Sequence, residues 1–251
     1  MEHLDPTMLL RAYAMGVFPM ADGRNAGSVY WVEPRKRGIL PLDGFRLSRS
    51  LRRTLAADRF RITADQAFEQ VIALCAERTS GREDTWINAQ IESAFVELHR
   101  RGHAHSVEVW DGETLVGGLY GLALGAAFFG ESMFSRMPDA SKVALAWLVA
   151  RLRTGRFTLL DCQFITPHLA SLGAIEIGRA DYVALLEGAL SSAGRMLGVA
   201  AAPAAAPGNA PAFDALDRLA PLRVDGSAPP AAIVSGPLAG KDIVQLLGHT
   251  S

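Results

Sequence analysis

The first regular pattern along the chain is helical. Asp5 followed by Pro6 reads as an N-cap and first helical position. The apolar run Met8-Leu9-Leu10 with Tyr13 continues that helix, and Gly16 stops it. VFPMADG and YWVEPRKRGILPL follow, rich in Pro and Gly, which predicts short strands and turns in a small N-terminal α/β unit. From Thr63, read as a cap, Phe68, Val71, Ile72 and Cys75 recur at helical spacing. A second helix starts near Asn88, turns Ile91, Phe95 and Leu98 inward and ends at Gly102. Cys75 falls on the apolar face of the first of these helices, which assigns it to packing.

Beyond Gly102 the period changes to two. His105 to Trp110 alternates, and Asp111-Gly112 is a hairpin turn. Leu115 to Leu124 and Ala127 to Phe134 make two further strands, whose glycines point to bulges or to a close approach of backbone. Asp139 reads as the cap of ASKVALAWLVARLR, a helix apolar nearly all round and therefore buried, closed by Gly155. FTLLDCQ is a strand, Thr166-Pro167 opens a short helix ending at Gly173, AIEIG is a last strand, and Asp181 to Leu190 a last helix. This order predicts an α/β fold, a mixed (α+β) sheet covered by helices. It is close to the acyltransferase-like (GNAT-like) arrangement, an analogy of fold that assigns no function. The expected organisation is a small N-terminal domain over 1–57, a catalytic domain over 58–197 and an Ala/Pro-rich C-terminal extension over 198–251. Seven of the 13 prolines lie between Pro203 and Pro237, which reads as a linker or loosely docked tail. IVQLLGHTS at its end suggests one more small element.

Composition narrows the class. Of 251 residues, 49% are hydrophobic and 20% charged, as in a globular chain with a substantial core. Lys+Arg total 25 against Asp+Glu 26, so a nucleic-acid site would have to be a local patch. One such patch is Arg49, Arg52 and Arg53, whose spacing puts them on one helix face; a merely solvated face is the alternative. Two cysteines, Cys75 and Cys162, form neither a disulfide framework nor a CxxC zinc site. The N-terminus lacks the pattern of a secretory signal. The uncharged stretch Thr114–Gly130 is 17 residues with five glycines, too short to span a bilayer. A cytoplasmic protein is the expectation.

Two stretches carry candidate chemistry. In LLDCQ, strand alternation turns Asp161 and Gln163 to one face and Leu160 and Cys162 to the other. An acid and an amide at the end of an apolar strand form either a structural hydrogen-bond network or an acid/base pair at a cleft. In GESMFS, Glu131 follows the apolar run Ala126–Phe129, which again puts an acid beside a hydrophobic surface; a salt-bridged edge residue is the alternative. Trp86 is core or a stacking platform. His99, His103 and His105 span a helix end and a strand start with no cysteine nearby, a poor metal site. Ser132, Ser135 and Ser141 lack a GxSxG setting.

Together these stretches resemble the bacterial leucyl/phenylalanyl-tRNA–protein transferases. The matching segments are RAYAMGVFPM, LSRSLRR, HAHSVEVW, LVGGLYG, FFGESMFSRM, ASKVAL and LLDCQ followed by HLASLGA and Arg179. The resemblance implies an aminoacyltransferase that moves Leu or Phe from its tRNA to the α-amino group of proteins beginning with Arg or Lys, marking them for N-degron proteolysis. It implies a cytoplasmic enzyme with no cofactor and no metal, whose partners are charged tRNA and those acceptor proteins. By the resemblance, Asp161 and Gln163 carry catalysis with Glu131 at the aminoacyl pocket. Leu119, Phe128, Leu145, Leu148 and Leu160 line that pocket, Trp86 stacks on the terminal adenosine, and Arg49, Arg52 and Arg53 bind tRNA. A second stacking tryptophan can follow the Phe-Pro of GVFP in the family, and Met20 stands there in this chain; Ala56 and Ala57 stand where relatives can carry basic residues. An acetyl-CoA-dependent N-acetyltransferase is the competing enzyme, but SRMPDASK before the buried helix has no glycine for a pyrophosphate loop. A non-enzymatic binder of tRNA or basic N-termini would leave Asp161 and Gln163 without a role.

Overall fold

Local chemistry sets the element boundaries. A computed structural model describes residues 4–77, 85–191, 210–219 and 238–248. Helix α1 (Pro6–Ala14) starts on Asp5, whose Oδ1 accepts the Thr7 amide at 2.9 Å. Strands β1 (Phe18–Met20) and β2 (Tyr30–Val32) form a two-stranded ribbon, and β3 (Lys36–Ile39) follows. Helix α2 (Arg49–Ala56) is capped by Ser48, β4 covers Arg61–Ala64, and α3 covers Phe68–Ala76. Thr63 is not a helix cap. It lies in β4, where its hydroxyl donates to the buried Glu108 carboxylate at 2.5 Å. Helix α4 (Ala89–Arg100) does start on Asn88, whose Oδ1 accepts the Ile91 amide at 3.0 Å.

The long meander follows as expected: β5 (Ala104–Asp111), β6 (Thr114–Leu124) and β7 (Ala127–Ser135). Helix α5 (Ala140–Thr154) then crosses to β8 (Leu159–Gln163). Asp139 precedes α5 in the left-handed region, φ 67°, and makes no side-chain cap bond; its carboxylate pairs with Lys142 instead. Helix α6 (Pro167–Ser171), β9 (Ile175–Gly178) and α7 (Arg179–Leu190) complete the central fold, and α8 covers Gly240–Gly248.

Seven strands form one mixed sheet in the order β4-β5-β6-β7-β8-β3-β9. Only β7 and β8 pair in parallel; the other pairings are antiparallel. An antiparallel meander joined through a buried crossover helix to a parallel strand is the acyltransferase-like arrangement expected from the element order. Strand β3, from the N-terminal stretch, fills the place between β8 and β9. Alternate side chains feed two cores. Phe129 and Leu159 face α1, α3, α4 and α7, whereas Phe128 and Leu160 face α2, α5 and α8. Among the described residues no helix is long and apolar enough to cross a membrane.

The C-terminal extension is more firmly attached than its composition suggests. Phe213 and Leu216, in a 3₁₀ turn, and Leu238, Ile243 and Leu247, in and beside α8, are buried in the second core. The buried Arg151 guanidinium donates to both Asp217 oxygens at 2.5 and 2.6 Å. Phe213 lies parallel to Phe128 at 5.6 Å and to His105 at 4.2 Å between ring centroids. The rest of the tail, including Pro203, lies outside the described residues. Phe213→Ala leaves a cavity between the Phe128 and His105 rings, and the expected loss is about 3–5 kcal/mol of stability, measurable by urea denaturation.

Candidate functional site

The site begins with a strand pair that separates. β7 and β8 pair over Ala127–Phe129 and Leu159–Asp161 and then diverge. Two backbone irregularities sit where they part. On β7, Gly121 pairs with Gly130 and Tyr120 with Ser132, so Glu131 is the extra residue of a β-bulge, which re-aims its side chain. The partner strand needs a glycine there: a Cβ on Gly121 would lie 2.3 Å from the Phe129 carbonyl. On β8, Gln163 has φ 53°, a left-handed conformation uncommon outside glycine. This breaks the alternation expected from Asp161 to Gln163. The two irregularities aim the side chains at each other, and Gln163 Nε2 donates to Glu131 Oε1 at 2.9 Å. A Cβ on Gly38 of β3 would stand 2.9 Å from the Ile165 nitrogen, so only glycine lets the chain leave β8 across β3.

Asp161 is fully buried and its bonding is saturated. Arg37 of β3 donates from Nε to Oδ1 at 2.9 Å and from Nη2 to Oδ2 at 2.6 Å. Tyr182 of α7 donates its hydroxyl to Oδ2 at 2.8 Å, and the Gln163 backbone amide donates to Oδ1 at 2.8 Å. Arg37 is itself enclosed. Its guanidinium lies 4.7 Å from the Phe18 ring centroid and 4.5 Å from that of Tyr182, and its Nη1 donates to the Gly16 carbonyl at 2.9 Å. Burial opposes the Arg37 charge, but the Asp161 contact outweighs it and holds the guanidinium above its ordinary pKa. For Tyr182, burial and the adjacent Asp161 push the phenol up.

Glu131 has the opposite environment. Burial raises its carboxyl from the ordinary 4.5 to about 8; the Asp161 charge adds to this, while Tyr13, Arg37 and Gln163 act against it. The Tyr13 phenol, at the buried face of α1, lies beside the same carboxyl and is raised in turn, chiefly by burial. Two acids with contrasting surroundings thus share one site, one ion-paired and one held protonated near neutral pH.

Glu131 and Gln163 line a cavity of about 330 Å³. Leu119, Met133, Leu145, Leu148 and Leu160 supply apolar wall, and Phe18, Met20, Trp86 and Phe164 line it as well. Four of the five expected pocket leucines and phenylalanines therefore meet there. Phe128 does not; it is buried against Phe157 and Phe213 in the core behind. Trp86 and Met20 both stand on the cavity wall. Arg49, Arg52 and Arg53 are exposed on α2 and line no part of it. Arg179 pairs with Glu33 at the surface. His105 contacts Asp65 at 2.8 Å, and His99 contacts the Ala104 carbonyl at 2.8 Å; neither faces the cavity. Sequence reasoning missed Arg37, Tyr13 and Tyr182. The available signal for Arg37 was a basic residue directly before the apolar run of GILPL.

The comparisons with known proteins converge. A family model described as leucyl/phenylalanyl-tRNA protein transferase matches residues 39–187, and the model of that family's N-terminal domain matches residues 2–35. A protein of Rhizorhabdus wittichii named leucyl/phenylalanyl-tRNA–protein transferase is 64% identical over 254 aligned positions, covering 100% of both chains. One of the same name from Zymomonas mobilis is 64% identical over 189 positions, covering 75% of this chain and 70% of its own. A solved structure of L-PGS from Bacillus licheniformis matches at TM-score 0.38 and 12% identity, over 64% of this chain and 53% of that one.

Two outcomes follow from the charges. Arg37→Met strands Asp161 without its cation and is expected to lower stability by about 3–5 kcal/mol in urea denaturation, with Arg37→Met/Asp161→Leu recovering most of it. For Glu131, folding takes up a proton between the ordinary 4.5 and about 8, so this group's contribution to stability falls as pH rises through that window. Glu131→Gln removes the ionisation. It should leave the melting temperature little changed at pH 5 and raise it at pH 8, by a gain on the order of a few kcal/mol.

Proposed function

The chain belongs to the leucyl/phenylalanyl-tRNA protein transferase family, and from that premise we propose that it moves leucine or phenylalanine from charged tRNA to the α-amino group of proteins that begin with Arg or Lys. The family is one of transferases acting between aminoacyl-tRNA and protein. The N-terminal Arg/Lys preference, a cytoplasmic setting and the marking of the products for N-degron proteolysis belong to the proposal. The observation that carries it is the Glu131–Gln163 pair on the wall of an apolar cavity. In this reading Leu119, Leu145, Leu148 and Leu160 take the aminoacyl side chain, Trp86 takes the terminal adenosine, and Arg49, Arg52 and Arg53 hold tRNA phosphates. A pocket of aliphatic walls fits both Leu and Phe, because apolar side chains differ by only about 1–3 kcal/mol per methylene.

The reaction is aminolysis of an ester. The incoming nitrogen bonds to the ester carbonyl, the bond to the terminal ribose oxygen breaks, the nitrogen loses a proton and the leaving oxygen gains one. The ester is already activated, so neither ATP nor a covalent enzyme intermediate is needed, and positioning is the main demand. An α-amino group has a pKa of about 7.7–8.0. Glu131, at about 8, nearly matches it; its ionised fraction, which grows as pH rises towards 8, is the form that takes the ammonium proton, and that transfer is nearly level. Gln163 orients the reacting groups. Asp161 has both oxygens engaged by Arg37, Tyr182 and the Gln163 amide, which supports a positioning role behind Gln163 in place of direct proton acceptance.

The test is incubation with leucyl-tRNA and a pair of peptides differing only in a first residue of Arg or Glu, followed by mass spectrometry. One added leucine on the Arg peptide alone is expected. Glu131→Gln, in folded protein, should slow transfer on the order of 10²-fold, the scale of general acid–base help. Equal labelling of both peptides would remove the Arg/Lys preference, and full activity of Glu131→Gln would remove its proton-accepting role.

A further inference from the structure

Helix α2 is a weak helix by its own chemistry. It has eight residues, well below the length at which isolated helices hold together. Arg49 stands three and four residues from Arg52 and Arg53, spacings at which like charges repel. Arg49 is also in the first turn, where the helix dipole disfavours a cation, and no acid occupies that turn. Among the described residues, none of the three arginines has an ion-pair partner. The helix therefore depends on what packs against its apolar face, Leu51 and Leu55, both buried.

Much of that cover is α8. Ile243 is fully buried and Leu247 nearly so, in the same core as Leu51 and Leu55. Both ends of α8 are tied. At its start the Gly240 amide donates to Asp58 Oδ1 at 2.6 Å, just past the end of α2. The backbones approach so closely that a Cβ on Gly240 would lie 1.9 Å from the Leu55 carbonyl oxygen. Near its end, Arg153 of α5 donates to the Leu246 carbonyl at 3.1 Å, and Gly248 lies beside the Arg52 guanidinium. This helix is outside the residues matched by the family models, which end at 187.

We propose that α8 is a clamp that holds the arginine helix α2 in its tRNA-binding form, so that the C-terminal extension sets affinity for the tRNA body while leaving the chemistry of the cavity alone. The inference rests on the reading that Arg49, Arg52 and Arg53 bind tRNA. Docking of α8 and binding of tRNA then favour the same state of α2, and each strengthens the other by the same factor.

The experiment uses the full chain and two donors: leucyl-tRNA, and leucyl-adenosine, which carries the ester and the adenosine without the tRNA body. The variants are Gly240→Val, which drives a side chain into the Leu55 carbonyl, and the milder Ile243→Ala, should the first not fold. The expected result is a drop in leucyl-tRNA affinity of about fivefold or more, the low end of usual coupling, with transfer from leucyl-adenosine within about twofold of the parent. The salt dependence of tRNA binding should flatten by about 0.7–0.9 units of log–log slope for each arginine that no longer reaches a phosphate. In the parent chain, tRNA should slow amide exchange across α8. An unchanged leucyl-tRNA affinity with faster exchange in α2 and α8 would overturn the clamp, and so would an equal drop for both donors, which marks a general weakening of the fold. Arg49→Ala/Arg52→Ala/Arg53→Ala is the separate arm. If that triple variant keeps full tRNA affinity, the reading of α2 as the tRNA-binding helix fails, and the clamp fails with it. If the triple variant loses affinity and neither α8 variant does, only the clamp fails.

Discussion

Arg37 and Asp161 are 124 residues apart in the chain, and neither is stable where it lies without the other. A lone buried charge is among the most unfavourable groups a fold can contain, whereas a bidentate pair with every remaining oxygen bonded is tolerated. The pair fixes β3 against β8, so the N-terminal stretch is committed to a place inside the sheet, one strand from its edge. It also fixes the end of β8. With Asp161 anchored, its Oδ1 receives the Gln163 amide, and the chain turns through a left-handed residue that throws the Gln163 side chain toward β7. Phe18 and Tyr182 close over the guanidinium, which ties β1 and α7 to the same point.

The contrast between the two acids follows from that anchoring. Asp161 takes up the nearby cation, so little positive charge remains to stabilise Glu131. Glu131 meets burial and a neighbouring negative charge, and its proton affinity rises. The β-bulge then does what strand geometry alone does not: it brings this carboxyl into the cavity while its neighbours on β7 remain paired to β6. Strain at Gln163 and irregular pairing at Glu131 are local departures from the sheet that coincide with the only carboxyl on the cavity wall among the described residues.

The elements were legible where the chemistry is local. Asp5, Asn88 and Thr166 cap helices as their types suggest, the Asp111-Gly112 turn joins β5 to β6, and the apolar run of α5 is buried. Thr63 misled for a reason that is not local: it satisfies Glu108 across two strands. Asp139 stands in the left-handed region and its carboxylate pairs with Lys142, so it is engaged in a contact other than the cap. Leu119, Leu145, Leu148 and Leu160 could be grouped through family resemblance, but Phe128 shows the limit of that grouping: an apolar residue one strand position away belongs to the core. The place of β3 could not be read at all, since nothing in KRGI specifies which distant strands flank it. Arg37 stayed hidden with it, as a basic residue in a short strand gives no sign that its partner is buried beyond a hundred residues away.

The place of β3 between β8 and β9 has a consequence for how the molecule is made. The strand is among the first to leave the ribosome, yet both of its neighbours, β8 and β9, are encoded near the end of the compact fold. At about 5–20 residues per second, β3 waits roughly 6–25 seconds for Asp161 to be synthesised. During that interval the meander β5-β6-β7 can close on itself, but the sheet has an open edge where β8 will dock, and Arg37 stays hydrated. Completion is therefore late and cooperative: a nascent chain that stops short of β8 lacks the partner of its first buried charge, and the finished sheet appears only when β3 meets β8 and β9.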